Sequence, residues 1–265
     1  MSGFVKISLL LFLLVPSACR GQTTDKAADL PSQPVNAEPN SPEKILKDLN
    51  RTLTTLESYC CQVKYLVSQP LFESKTLRTG NLYYKKAGEN SNLRINFKTL
   101  KQDDEPEQKY PQEYIFDGVW LIHIDYKFKK TKHYQQAEPN APADVFELAG
   151  RNFPLIGFSK NQDLKKDFSI KLIEQDKNNT ASLAHLHLTV KSDSPYKDDY
   201  ISADFWIDKK LNLPAKIIAV STEKDIYEIE FLNPKINKEI DNKLFEVVVP
   251  KDFDKPEIIP LQKNN

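Results

Sequence analysis

Residues Glu113–Tyr126, Glu-Tyr-Ile-Phe-Asp-Gly-Val-Trp-Leu-Ile-His-Ile-Asp-Tyr, set two β-prone runs on either side of Asp117-Gly118. Asp-Gly between alternating apolar residues is the strongest short-range hairpin signal, because both residues tolerate the positive φ that tight turns need. After the turn, Trp120, Ile122, Ile124 and Tyr126 fall on one face of a strand, and Leu121, His123 and Asp125 on the other. An antiparallel sheet with one strongly apolar face is expected in mid-chain, and what that face covers is the functional question.

The same period of two recurs along the chain. Strands are expected at Tyr59–Ser68, Thr76–Lys85, Asn92–Lys98, Glu113–Phe116, Val119–Tyr126 and Thr131–Gln135. A second series is expected at Phe168–Glu174, Ser182–Lys191, Tyr200–Ile207, Ala215–Val220 and Asp225–Leu232, with a last strand at Leu244–Val249. Ahead of them, Ser41-Pro42-Glu43 opens a helix with an N-cap, a first-turn proline and a first-turn acid. Ile45, Leu46, Leu49, Leu53 and Leu56 then form one stripe about 100° wide. Between Pro139 and Asp167 the alternation stops: Pro142–Leu148 and Asp163–Lys166 read as short helices around the apolar Phe153–Phe158. The fold class is therefore mainly β with few helices. About eleven strands form a half-open antiparallel β-barrel wrapped around the leading helix and a helical lid.

The N-terminus sets the compartment. Lys6, the apolar run Ile7–Val15 and the small residues that follow make a secretory signal peptide over 1–21, too short to span a membrane. Cleavage is expected after Ser17 or Gly21; Ser17-Ala18-Cys19 also resembles the end of a bacterial lipobox, with Pro16 where leucine is usual, so a lipidated N-terminus at Cys19 stands beside ordinary cleavage. The expected location is the bacterial periplasm, with or without an anchor at Cys19. Residues 22–40 read as a disordered tether, 41–253 as a single domain and 254–265 as a tail.

Several chemistries are disfavoured. Lys+Arg and Asp+Glu both number 37, so no global field attracts nucleic acid, and none is expected as a partner. With 7 glycines and no phosphate-loop or nucleophile-elbow pattern, nucleotide and hydrolase chemistry is not expected. His185 and His187 share a strand face without an identifiable third ligand, and His123 and His133 read as polar-face residues, so no metal and no catalytic residue is assigned. Cys60 and Cys61 are adjacent and point to opposite faces as free thiols. No cofactor and no enzymatic activity is expected. Apolar surface is the remaining signal: it either lines a lipid-sized cavity or packs as core, and pattern alone leaves both open.

The order of the pieces resembles the LolA/LolB-like periplasmic lipoprotein carriers over Pro42–Phe253. The resemblance runs through Gly80–Lys86, Leu93–Phe97, Phe116–Trp120, Phe153–Phe158, Phe205–Pro214, and Ile240–Phe245 followed by Val249-Pro250. It implies a non-enzymatic carrier or acceptor of lipoprotein acyl chains or lipids, a monomer that meets an inner-membrane export complex or an outer-membrane acceptor. The implied cavity wall is Leu82, Tyr84, Ile95, Phe97, Trp120, Ile122, Ile124, Leu155 and Phe158, so a charge at Ile122 or Phe158 is expected to weaken lipid capture. The implied closure residues are Lys86, Arg94, Phe153 and Ile156. Lys86-Ala87 stands where such carriers often have Arg-Pro, and lysine lacks the planar fork of arginine. The alternative is an envelope sensor that uses the same fold to bind a protein partner.

Overall fold

In the computed structural model, residues 41–88, 90–145, 164–173 and 182–261 are described. Helix α1 (Pro42–Thr54) starts as its sequence requires: the Ser41 hydroxyl accepts a hydrogen bond from the Lys44 amide at 3.3 Å, and proline occupies the first turn, where no amide donor is needed. Leu49 and Leu53 on its apolar stripe are buried.

The strands are β1 (Ser58–Gln69), β2 (Ser74–Ala87), β3 (Asn90–Gln102), β4 (Gln108–Phe116), β5 (Trp120–Asp125) and β6 (Lys130–Gln135). After the short helix α2 (Leu164–Asp167) come β7 (Phe168–Ile173), β8 (Leu183–Val190), β9 (Tyr200–Asp208), β10 (Leu213–Ser221), β11 (Ile226–Ile236) and β12 (Glu257–Ile259). They form one 12-stranded sheet in the order β12-β6-β5-β4-β3-β2-β1-β11-β10-β9-β8-β7. Each half is a meander of consecutive hairpins, and the halves join where β1 pairs with β11. Among the described residues the sheet is not closed into a barrel: its edge strands, β12 and β7, do not pair with each other. It is antiparallel except for β12, which lies parallel to β6.

The Asp117-Gly118 turn forms as a three-residue connection. The Asp117 carboxylate accepts from the Val119 and Trp120 amides at 2.9 and 2.7 Å, and Gly118 has φ +101°, which L side chains rarely adopt.

The C-terminal part departs from expectation. Leu244–Val249 is not a strand: Asn242–Phe245 makes a 3₁₀ turn, and the chain then crosses the outer face of the β2–β6 half. The expected tail after Phe253 instead ends in β12, the outermost strand of the sheet. This strap is fastened along its length. Lys85 Nζ donates to the Ile240 carbonyl at 2.6 Å, Arg94 Nη1 donates to the Leu244 carbonyl at 2.6 Å, and Lys129 pairs with Asp252 at 2.7 Å. It also covers the β6 edge, whose unpaired backbone groups would otherwise invite another strand.

Candidate functional site

Two apolar clusters lie on opposite faces of the sheet. The larger one, on the concave face, joins α1 to Tyr59, Cys61, Val63 and Tyr65 of β1, Phe97 of β3, Tyr114 and Phe116 of β4, and the inward residues of β8–β11. The smaller one, on the outer face, contains Ile115, Ile122 and Ile124, with Trp120, Tyr126, Val249 and Phe253 packed on it.

This divides the nine expected wall residues. Leu82, Tyr84, Ile95 and Phe97 belong to the concave cluster. Trp120, Ile122 and Ile124 belong to the outer cluster, beneath the strap, so they cannot share a wall with the other four. The strand alternation is as expected, but the side is reversed. Leu121, His123 and Asp125 point inward, because His123 pairs across the sheet with Tyr114 and Leu121 with the fully buried Phe116. The most apolar face of β5 is buried by the strap, not by the concavity. Leu155 and Phe158 lie outside the described residues.

The expected closure residues have other tasks. Lys86 Nζ pairs with Glu57 at 3.2 Å. Arg94 lies on the outer face, where Nη2 meets Glu113 at 2.5 Å and Nη1 holds the strap. Phe153 and Ile156, like Cys19, lie outside the described residues.

Cross-strand register sorts the concave wall of β2–β5 into rows. One row holds Tyr84, Leu93, Phe116 and Leu121; the next holds Leu82, Ile95, Tyr114 and His123. Leu82, Leu93, Ile95 and Leu121 are only partly buried, whereas Tyr84, Tyr114 and Phe116, their neighbours in the same rows, are buried. Helix α1 packs on the other half of the concavity, against β7 and β10. A run of aromatic rings crosses the wall. Tyr65 stacks on Phe97 with centroids 6.3 Å apart, Phe97 meets Tyr114 edge-on at 6.1 Å, and Tyr114 stacks on His123 at 4.4 Å. Burial drives the Tyr114 phenol well above its ordinary pKa and lowers His123 to about 4, so both are neutral near pH 7.

The wall becomes polar toward the end of the sheet where the β1–β2, β3–β4 and β5–β6 turns lie. Gln112 Nε2 donates to Asp125 Oδ2 at 2.7 Å, and the Lys127 and Phe128 amides donate to Asp125 Oδ1, both at 3.0 Å. Arg78, paired across strands with Tyr65 and Leu100, lies in the same region and is 6% exposed. Sequence reading missed these groups, because an isolated Arg, Gln or His in a strand has the same period as a solvent-facing residue.

On the outer face of β8 and β9, His185 Nε2 and His187 Nδ1 both meet Asp204 Oδ1, at 2.7 and 2.9 Å, and His185 stacks on Trp206. No group of three or more His, Cys, Asp or Glu side chains suited to a metal ion occurs among the described residues. Burial raises the Cys61 thiol to about 12, which keeps it protonated and inert.

An open, almost wholly antiparallel sheet curled over one leading helix, with an apolar concave wall, is the architecture that the resemblance to LolA/LolB-like carriers implied. No protein-family model and no curated protein matches the chain. Among solved structures it is similar to an uncharacterized conserved protein from Thermus thermophilus, at 10% identity, over 83% of this chain and 98% of that one, with a TM-score of 0.47. It is similar to the Pseudomonas aeruginosa MucA/MucB complex structure at 11% identity, over 77% of this chain and 60% of that chain, with a TM-score of 0.41. A putative outer membrane lipoprotein-sorting protein domain from Vibrio parahaemolyticus is similar at 9% identity, over 76% and 94%, with a TM-score of 0.39. These likenesses concern the course of the backbone and not the chemistry of any site.

Proposed function

We propose that the chain is a non-enzymatic carrier or acceptor, exported to the bacterial envelope, that holds acyl chains of lipids or lipoproteins against the concave wall of β2–β5. The observation that carries this is the set of half-buried aliphatic side chains Leu82, Leu93, Ile95 and Leu121, which lie on the concave side beside buried aromatic rings while α1 packs on β7 and β10. Each methylene removed from water on such a wall contributes about 0.8 kcal/mol, so a long chain needs no catalytic group to bind usefully.

Displacement of a fluorescent fatty acid tests the reading. Leu82→Glu and Ile95→Glu each place a charge on the wall and are expected to weaken binding by at least about tenfold. The same charge at the exposed strap residue Val248 is expected to leave binding unchanged. Equal affinity in all three variants would remove the wall assignment.

A second reading, an envelope interaction protein, is favoured by Leu71 and Phe72, each 74% exposed on the turn between β1 and β2. It predicts stable co-purification of one envelope protein, no lipid in native mass spectra, and loss of that partner in a Leu71→Ser/Phe72→Ser variant.

A further inference from the structure

Arg78 has an unusual position for a permanently charged side chain. It is 6% exposed on the concave face, its buried Nε has no hydrogen-bond partner, and no carboxylate pairs with it among the described residues. A guanidinium taken out of water without an anion is costly, and buried arginines are ordinarily paired. The nearby carboxylate does not pair with it: Asp125 accepts from Gln112, from Tyr110 at 3.5 Å, and from the Lys127 and Phe128 amides. Three further buried polar atoms in this region lack partners among the described residues, the Tyr114 hydroxyl, His123 Nε2 and Gln112 Oε1. The Arg78 charge reaches Tyr114 and His123: it lowers the Tyr114 pKa against the larger, raising effect of burial, and lowers that of His123 together with burial.

From this juxtaposition we infer that Arg78, Tyr114 and His123 form a head-group site for an anionic amphiphile, whose phosphate or carboxylate binds Arg78 while its chain runs along Leu82 and Ile95. Three features support this assignment, and the first and third of them favour an amphiphile over a free anion. The row holding Tyr114 and His123 is the row that holds Leu82 and Ile95, so polar and aliphatic contacts are contiguous. A guanidinium binds two oxygens of one phosphate or carboxylate in a planar fork, and the neutral phenol can donate a third hydrogen bond. The Asp125 carboxylate opposes a small anion that brings no apolar surface of its own.

This site rests on the carrier reading above, and the experiment separates the two. The full mature chain and its Arg78→Met variant are titrated calorimetrically with dodecyl phosphate, 1-dodecanol and inorganic phosphate. The expected result is that wild type prefers dodecyl phosphate to dodecanol by at least about tenfold, and that Arg78→Met loses this preference while keeping its dodecanol affinity. Without amphiphile, Arg78→Met is expected to unfold at a higher urea concentration, because the substitution removes a buried, unpaired charge. A lower urea midpoint would mean that the guanidinium serves the empty fold and would overturn the assignment. Equal wild-type affinity for the two amphiphiles would overturn the head-group site and leave the carrier reading standing. Binding of neither would overturn both. If inorganic phosphate binds as tightly as dodecyl phosphate, the anion needs no chain and the amphiphile assignment falls.

Discussion

His123 shows how much one residue's orientation decides. On the inward face of β5 its ring lies flat on Tyr114, and burial holds its pKa near 4 against an ordinary value of 6.5. In the folded chain the ring stays neutral down to about pH 4, whereas in the unfolded chain it takes up a proton near 6.5. The stability linked to His123 is therefore complete above pH 6.5 and is lost as pH falls from 6.5 toward 4, by on the order of 2–3 kcal/mol. Urea denaturation at pH 4.5 and 7 should show this slope in wild type and a flatter one in His123→Phe, which keeps the stacked ring and removes the titration. The alternation that places His123 opposite Ile122 was evident from sequence. Which side faced the core was not, because Trp120, Ile122 and Ile124 are the more apolar set and a pattern read on one strand assigns such a set to the interior. The segment that buries them, Val249–Phe253, is more than a hundred residues away in the chain.

Among the elements, the long alternating strands and α1 were readable because their signals are local: an N-cap, a period of two, an Asp-Gly turn. The strap was not. Leu244–Val249 has the composition of a strand, but the Leu244 and Glu246 carbonyls accept from Arg94 instead of a neighbouring strand, and no local rule announces a partner on β3. Arg94 thereby joins three elements: β3, β4 through Glu113, and the strap. Its side chain is 14% exposed and that of Glu113 16%, so the pair is largely shielded from solvent. Arg94→Met leaves Glu113 without its cationic partner and two strap carbonyls without their Arg94 donor, and should destabilise the fold by about 3 kcal/mol. Urea denaturation reads the loss, and a rise in binding of a hydrophobic dye at the strap would show Ile115, Ile122 and Ile124 becoming accessible. A Lys at position 94 should recover only part of it, since one ammonium cannot reproduce the forked contacts.

At the scale of the molecule, the strand order has a kinetic consequence. Every pairing within β1–β6 and within β7–β11 joins consecutive strands, so each half is built from hairpins. The seam between β1 and β11 is different: it brings Val63 to Phe231 and Tyr65 to Ile229 across most of the chain. Closing so long a loop costs entropy before any contact at the seam repays it, and non-local pairing of this kind slows folding. The two meanders should therefore form early and wait for each other. Stopped-flow refolding tests this: Val63→Ala, at the seam, is expected to slow folding, whereas Ile124→Ala, beneath the strap and away from the seam, should mainly speed unfolding. While the halves remain apart, the concave row on β2–β5 and the unpaired edges of β1 and β11 are exposed together. A chain with this topology is most vulnerable to aggregation and proteolysis during that interval, and a holding chaperone would protect it best by covering the β1 edge.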